Sequence, residues 1–213
     1  MAETFFDPEK FYEDVPEDGN IPLTSFLEKT RQIIAVLDSF GIVFSPVKSD
    51  MQNNIDKITK AMKKPDGGEY HTLKELIEAE EQQGVSKGKN SGTVAAVWLG
   101  RGLKFMYLFF EQLVSDKSNT ESNTEFVQTA YKGSLQPYHN FMSKSIFTVA
   151  CRGVPKRSAL CKQLMKNPEG KTADEINRTV IDGMREYLKN LKATTDVWNG
   201  QCMELTKDKY NSL

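Results

Sequence analysis

One long, predominantly apolar segment, residues 93–114, constrains the fold of this chain more than any other feature. It is long enough to span a bilayer as a helix, but Arg101 and Lys104 lie near its middle and Glu111 lies towards its end. Each central charge would cost roughly 2.5 to 3.5 kcal/mol on insertion into a membrane. The segment is therefore predicted to be the buried central helix of a globular protein, around which the other elements pack.

The other apolar patterns are helical as well. Apolar residues recur at helical spacing in residues 22–41, 46–62, 73–77, 126–135, 137–152, 156–166 and 172–205. No segment alternates with the period of two that a half-buried strand requires, and no internal repeat is found. The chain is predicted to be all-α, with about eight helices in a sandwich or bundle.

Length and composition favour one domain in a reducing compartment. One hydrophobic core can serve 213 residues, so a single domain spanning 1–213 is predicted, with residues 1–20, rich in Asp, Glu and Pro, as a loosely packed N-terminal arm. The polar stretch 115–124 is the one candidate for an internal boundary. The N-terminus lacks a basic segment followed by an apolar run, and the three cysteines are irregularly spaced, which favours a cytoplasmic protein without disulfides.

Charge and motifs argue against several classes of function. The 28 Lys and Arg residues nearly balance the 29 Asp and Glu residues, so the broad basic surface of a nucleic-acid binder is not expected. Hydrolase, zinc-protease and dinucleotide-binding motifs are missing, and two His with three scattered Cys predict neither a metal site nor a cofactor. An enzyme with His139 as its base and Asp50 as the orienting acid is the least favoured alternative.

The most specific local signal is a polar patch on the second helix. Asp50, Asn54 and Lys57 fall within about 60° of one another at 100° per residue, and the patch borders the apolar stripe of that helix. Alone, such a triplet is more typical of a solvated helix face. In the central helix, Gly100 and Gly102 each cost roughly 1 kcal/mol relative to alanine, which close packing against another backbone or a ligand would explain.

These motifs together resemble the glycolipid transfer protein family. The resemblance rests on Asp50-x-x-x-Asn54-x-x-Lys57, Trp98-Leu-x-Arg101-Gly102-Leu103, Tyr138-His139 followed by Phe147, and Ala193-Thr-Thr-Asp-Val197, in that order. It implies a two-layer, all-helical sandwich that encloses lipid chains in an apolar tunnel and holds the head group at the surface. Such a protein binds a glycosphingolipid and transfers it between membranes without catalysis.

The resemblance also implies a role for each site residue. Asp50, Asn54 and Lys57 would hydrogen-bond the hydroxyls of the first sugar, and Asp50 would also accept from the ceramide amide N–H. Trp98 would stack beneath the sugar ring, and His139 would donate to the amide carbonyl. Carboxylate, amide and ammonium groups suit vicinal hydroxyls, and an indole suits the apolar face of a sugar.

Further positions are implied for the lipid chains and the membrane. Val94, Phe105 and Phe147 are candidates to line or gate the tunnel. Phe141 occupies the position of a tryptophan that dips into the membrane in relatives, so it is the membrane-contact candidate. The segment 207–213 departs from the tyrosine-containing end of the family, and no sugar contact is assigned to Tyr210.

Alternatives and one further partner remain open at this point. A related branch carries ceramide-1-phosphate and has arginines at the positions of Val94 and Trp98, and a sensor or helical scaffold could keep the pocket without transfer. Residues 4–7, Thr-Phe-Phe-Asp, resemble the short motif that docks lipid carriers to VAP-type receptors of the endoplasmic reticulum. Packing of both phenylalanines on the domain is an equally good reading.

Overall fold

The computed structural model describes residues 3–64 and 66–206, and this part of the chain is all-helical, which confirms the predicted fold class. The α-helices are α1 (Leu23–Ile34), α2 (Ser45–Ala61), α3 (Leu73–Gln82), α4 (Gly92–Ser115), α5 (Thr124–Lys132), α6 (Phe141–Arg152), α7 (Arg157–Leu164) and α8 (Ala173–Thr206). Short 3₁₀ turns occupy Pro8–Lys10, Ala35–Phe40, Ile42–Phe44 and Gln136–Tyr138. Within the described residues, extended pairing is limited to isolated bridges such as the one between Thr4 and Met165.

The central helix α4 is the element that the apolar segment 93–114 predicted. It is the one helix in the described residues that is long and apolar enough to cross a membrane, and 67% of its apolar window is buried inside the protein. Helices α2, α5 and α8 pack against it. Burial on several sides explains why α4 lacks the polar face of an ordinary surface helix.

Gly100 and Gly102, in the interior of α4, lie where neighbouring helices pack closely against it. A β-carbon at Gly100 would come within 2.8 Å of the Trp198 ring of α8, and one at Gly102 within 3.2 Å of the Met51 side chain of α2. The indole N–H of Trp198 donates to the carbonyl of Ala96 at 2.9 Å, which ties α8 to α4. Close helix packing therefore accounts for both glycines.

Two buried charged side chains, one acidic and one basic, form hydrogen bonds with the backbone at the two ends of α4. At the N-terminus, the Glu80 carboxylate accepts from the backbone N–H of Gly92 at 2.7 Å and from that of Thr93 at 2.8 Å. At the C-terminal end, the Arg157 guanidinium donates to the carbonyl of Leu113 at 3.1 Å and pairs with Asp116 at 3.3 Å. An anion at the amino end and a cation at the carboxyl end both complement the helix dipole and satisfy groups that lack partners within the helix.

The N-terminal arm is packed more tightly than the predicted loose arrangement. Phe6 and Tyr12 are buried, and the Phe6 ring lies 5.6 Å from the Phe110 ring of α4. A β-carbon at Gly183 would lie 3.0 Å from the Thr4 hydroxyl, so α8 has a glycine where the arm crosses it. Helix α8 continues without interruption through Gly183.

Several helix ends differ from their predicted positions. The α-form of the first helix stops at Ile34, and the 3₁₀ turn Ala35–Phe40 follows it and ends at Gly41, whose φ of +82° lies in the region that favours glycine. The second helix begins at Ser45, one residue before the predicted range 46–62. The sixth helix starts at Phe141 after a cap by Asn140, so His139 precedes the helix rather than beginning it.

The capping role of Glu80 predicts a specific loss of stability. In Glu80→Gln, one side-chain oxygen becomes an amide that faces backbone donors, so the free energy of unfolding should fall by about 1 to 3 kcal/mol. Glu78→Gln, an exposed change on the same helix, should stay within about 0.5 kcal/mol of the wild type. Urea unfolding followed by circular dichroism measures both, and equal effects of the two changes would refute the cap.

Candidate functional site

The three polar residues predicted on the second helix lie together on α2. Asn54 is only 5% exposed, and its side-chain amide donates to the Asp50 carboxylate at 3.1 Å. Lys57 donates to the backbone carbonyl of Lys89 at 3.3 Å, in the loop that precedes α4. The patch therefore borders the core, with Asp50 at the surface and Asn54 in the interior.

Trp98 and His139 form the second half of the arrangement. The indole of Trp98, on α4, stacks with the imidazole of His139 with ring centroids 5.8 Å apart and planes 26° apart. Both residues are half-buried. His139 has extended backbone between the turn Gln136–Tyr138 and α6, and this irregular segment brings its ring to α4. The fold thus gives the site one flat aromatic surface and one imidazole next to it.

The electrostatic environment links Asp50 to His139. Partial burial raises the pKa of the Asp50 carboxyl. The positive charge of Lys57, the hydrogen bond from Asn54 and the charge of His139 act in the opposite direction, but their effect is smaller. Burial lowers the pKa of His139, opposed by the negative charge of Asp50 and reinforced by Lys144 and Arg101. Groups with pKa values displaced by burial and by a defined partner are typical of functional sites.

Arg101 is a cation near the site that the sequence analysis did not place there. It is 7% exposed, and its guanidinium lies 3.5 Å from the centroid of the Tyr138 ring and 4.7 Å from that of Trp98. Burial lowers its pKa. The spacing of three residues from Trp98 on one helix was the available signal, because it puts both side chains on neighbouring parts of one face. Arg101 therefore adds a second positive charge, besides that of Lys57, close to the predicted head-group site.

A cavity of about 320 Å³ lies beside Arg101, between α4, the turn Gln136–Tyr138 and the end of α8. Arg101, Lys104, Tyr138 and Met203 line it. Asp50, Asn54, Lys57, Trp98 and His139 are not among its lining residues. The predicted site is therefore defined by its polar and aromatic groups and not by this cavity.

Aromatic side chains fill the interior beneath His139. The ring of Phe147 stacks on that of Tyr131 with centroids 4.0 Å apart, and it makes T-shaped contacts with the Phe105 and Phe44 rings, whose centroids lie 5.3 and 6.1 Å away. Of the three tunnel or gate candidates, Phe105 and Phe147 are thus in mutual contact, whereas Val94 is half-buried one turn before Trp98. Tyr131 was not predicted, since helical spacing gave no sign of its ring partners.

Helix α6 has an unusual outer face. Four of its large apolar side chains are exposed: Phe141 (86%), Met142 (72%), Ile146 (59%) and Val149 (66%). Ile42, in the turn before α2, is exposed as well, and its neighbour Val43 contacts Gly153 at the end of α6. We call these five exposed residues the α6 face. Contiguous exposed apolar residues mark surfaces that meet a partner or a membrane.

Two further points concern residues considered in the sequence. Among residues 3–64 and 66–206, no group of three or more His, Cys, Asp or Glu side chains is placed to hold a metal ion. Tyr210 lies outside the described residues.

Comparison with known proteins yields one consistent set of matches. The family model described as "Glycolipid transfer protein (GLTP)" matches residues 21–166. A glycolipid transfer protein of Danio rerio is 33% identical over 190 residues, which are 87% of this chain and 88% of that protein.

Solved structures agree on the fold. The structure of FAPP2, described as selecting simple glycosphingolipids with the GLTP fold, aligns with a TM-score of 0.82 at 24% identity and covers 99% of this chain and 100% of that one. Human ceramide-1-phosphate transfer protein in complex with its lipid aligns with a TM-score of 0.76 at 18% identity, covering 93% of this chain and 92% of that one. These likenesses concern the fold alone.

The raised pKa of Asp50 predicts that its removal leaves the fold intact. The folded state holds the Asp50 proton more tightly than the unfolded state, so ionisation above the ordinary value of 3.8 works against folding, and this effect is fully present at neutral pH. Asp50→Val should therefore keep the free energy of unfolding within about 0.5 kcal/mol of the wild type, or raise it.

Asp116 provides the contrasting variant. Despite burial, hydrogen bonds from Ser118 and Thr120 and the charge of Arg157 lower its pKa, so its ionised form stabilises the fold above pH 3.8. Asp116→Val leaves Arg157 buried without this partner and should cost about 3 to 5 kcal/mol. Thermal and urea unfolding at pH 7 measure both variants, and an Asp50→Val loss as large as that of Asp116→Val would contradict the assignment.

Proposed function

This chain belongs to the glycolipid transfer protein family, and from that membership we propose that it binds one glycosphingolipid and transfers it between membranes without catalysis. The observation that carries the proposal is the convergence of the α2 patch, the Trp98 ring and the His139 ring at one edge of the helical core. A polar edge above an apolar interior matches an amphipathic ligand with a sugar at one end and two chains at the other.

The head-group chemistry follows from the residue types. Asp50, Asn54 and Lys57 offer an acceptor, an amide and a charged donor, which together can bind the vicinal hydroxyls of a sugar. The half-buried Trp98 ring offers a flat surface to the apolar face of that sugar. Asp50 and His139 would bind the ceramide amide, as acceptor for its N–H and donor to its carbonyl.

The lipid chains require movement of the aromatic interior. Phe147 contacts both Phe105 and Tyr131, so acyl and sphingosine chains enter between these rings only when the rings turn aside. Val94, one turn before Trp98 on α4, would contact the lipid chains at their ends nearest the head group. Aromatic rings rotate as units about two side-chain bonds, and they therefore suit a gate that opens for the lipid and closes after it leaves.

The α6 face is proposed as the surface that meets the membrane. Phe141 stands at its tip, directly after the segment that carries His139, so lipid exchange and membrane contact would occur at neighbouring points. Phenylalanine is less interfacial than tryptophan, but the other apolar residues of the face add area that an isolated aromatic ring would lack.

Head-group choice depends on two positions one turn apart on α4. Val94 and Trp98 stand where the phosphate-carrying branch has arginines, which suit a phosphate because they bind it in a bidentate manner. Arg101 adds a buried positive charge next to Trp98, yet its guanidinium is stacked on the Tyr138 ring. Asp50 would repel a phosphate. We therefore propose a neutral glycosylceramide, with glucosyl-, galactosyl- or lactosylceramide as ligands.

The proposed place of action is the cytoplasm, where the free and buried thiols of Cys151, Cys161 and Cys202 would stay reduced. Docking to a VAP-type receptor receives less support, because Phe6 is buried against Phe110 and Tyr187 and would first have to leave the core. Failure of a peptide spanning residues 1–16 to bind such a receptor would exclude this partner.

Vesicle assays with matched lipids test the proposed ligand. Wild-type protein should move glycosylceramides and little or no ceramide-1-phosphate. Asp50→Val should slow glycosylceramide transfer by about 100-fold, since charge-assisted hydrogen bonds to sugar and amide are lost together. Replacement of both Val94 and Trp98 by Arg should reduce sugar-lipid transfer and favour the phosphate lipid. Faster transfer of ceramide-1-phosphate than of any glycosylceramide by the wild type would overturn the specificity, though not the fold.

The membrane role of the α6 face predicts a separable defect. Phe141→Asp should weaken binding to vesicles and slow transfer by about tenfold or more, because burial of one large apolar side chain contributes about 1.5 to 3 kcal/mol. Met203→Asp, at an exposed apolar residue of α8 outside this face, should change neither property. Co-sedimentation with vesicles measures binding. If the two variants behave alike, another surface meets the membrane.

A further inference from the structure

We propose that Tyr131 is a positioning residue that fixes the tautomer of His139, so that the imidazole offers a donor to the lipid amide carbonyl. The inference rests on the proposed function, because it explains how His139 is prepared for that ligand. Tyr131 itself does not touch the lipid amide in this arrangement; it acts through the histidine ring.

The geometry holds Tyr131 at both ends. Its hydroxyl oxygen lies 3.0 Å from Nδ1 of His139, and its ring stacks on Phe147 with an interplanar angle of 7°. The residue is buried on α5. A buried phenol needs a hydrogen-bond partner, and Nδ1 of His139 is that partner.

The chemistry of a neutral imidazole makes this hydrogen bond decisive. One ring nitrogen carries the proton and donates, and the other accepts. With Nδ1 engaged by Tyr131, the lipid carbonyl has to be met by Nε2, which can donate only when it carries the proton. That form exists when Tyr131 donates its O–H to Nδ1. In the opposite arrangement, Nδ1–H donates to the tyrosine and Nε2 presents a lone pair that would repel a carbonyl oxygen.

The protonation states at neutral pH are consistent with this assignment. Burial raises the pKa of Tyr131 to about 12, so its hydroxyl keeps its proton. Burial lowers the pKa of His139; the charge of Asp50 opposes this shift, and the charges of Lys144 and Arg101 add to it. The imidazole is therefore neutral and exists as one of two tautomers. A second residue that sets the tautomer of a binding histidine is a familiar arrangement in metal sites, and the same logic applies to a lipid amide.

The side chain offers a clean test, because Tyr131→Phe removes the hydroxyl and keeps the ring that stacks on Phe147. The chain has two histidines, and the second, His71, is exposed and remote in sequence, so it serves as an internal reference. Ring ¹⁵N shifts of histidine-labelled, lipid-free protein at pH 7.5 report the tautomer of each. Wild-type His139 should be in the Nε2–H form, and in Tyr131→Phe the Nδ1–H form should become populated, with His71 unchanged.

Transfer of glucosylceramide between vesicles is the second readout. Tyr131→Phe should slow it by about tenfold, the lower end of the loss seen when a metal-binding histidine is deprived of its supporting partner. Tyr107→Phe, which removes a hydroxyl that bonds Glu111 on the far part of α4, is the matched control and should leave both tautomer and transfer unchanged. Circular dichroism and thermal unfolding check that each variant is folded.

Two outcomes would overturn the inference, and a third would refute the proposed function. An unchanged His139 tautomer in Tyr131→Phe shows that the hydroxyl does not set it, whether or not transfer slows. A changed tautomer with wild-type transfer shows that the tautomer does not matter for the lipid. Absence of glycosylceramide transfer by the wild-type protein would refute the proposed function itself, and the lipid-free spectra would still report independently whether Tyr131 sets the tautomer.

Discussion

The structure depends on the burial of one helix, α4. The backbone N–H and C=O groups at the ends of a helix have no partners within it, and at the ends of a buried helix they cannot bond to water either, so side chains have to bind them. Glu80 and Arg157 supply those partners, and each comes from a different neighbouring helix. Because α2 and α8 pack closely beside Gly102 and Gly100, the residues of α2 that border this contact form an edge between core and solvent. The polar patch lies on that edge.

Much of this arrangement could be predicted from sequence, because it follows from the order of residues along one helix. The length of the apolar segment 93–114 predicted α4, and the period of apolar residues in the second helix predicted that Asp50, Asn54 and Lys57 border its apolar stripe. The positions of Tyr131 and Arg101 depend instead on rings that come from elsewhere in the chain. Periodicity tells which side of a helix is buried, but it carries no information about which side chain lies opposite.

The N-terminal arm shows that average composition does not reveal which individual residues are buried. Its acidic and proline-rich composition is typical of a loosely held segment, and most of the described residues of the arm are indeed exposed or half-buried. Two aromatic side chains, Phe6 and Tyr12, nevertheless enter the core. A few buried rings are enough to hold a segment whose average character is polar, because each ring contributes far more apolar area than a small residue. Averages over twenty residues hide such anchors.

The packing of Phe147 against both Tyr131 and Phe105 has a consequence for the thermodynamics of a transport cycle. A rigid apolar tunnel that gave up its lipid would be left either as a void or as a column of poorly bonded water, and both raise the free energy of the empty state. Rings that close on one another remove that volume when the chains depart. The interior of the lipid-free protein is then close-packed like an ordinary hydrophobic core. Release of the lipid therefore creates no cavity that destabilises the protein before it binds the next lipid.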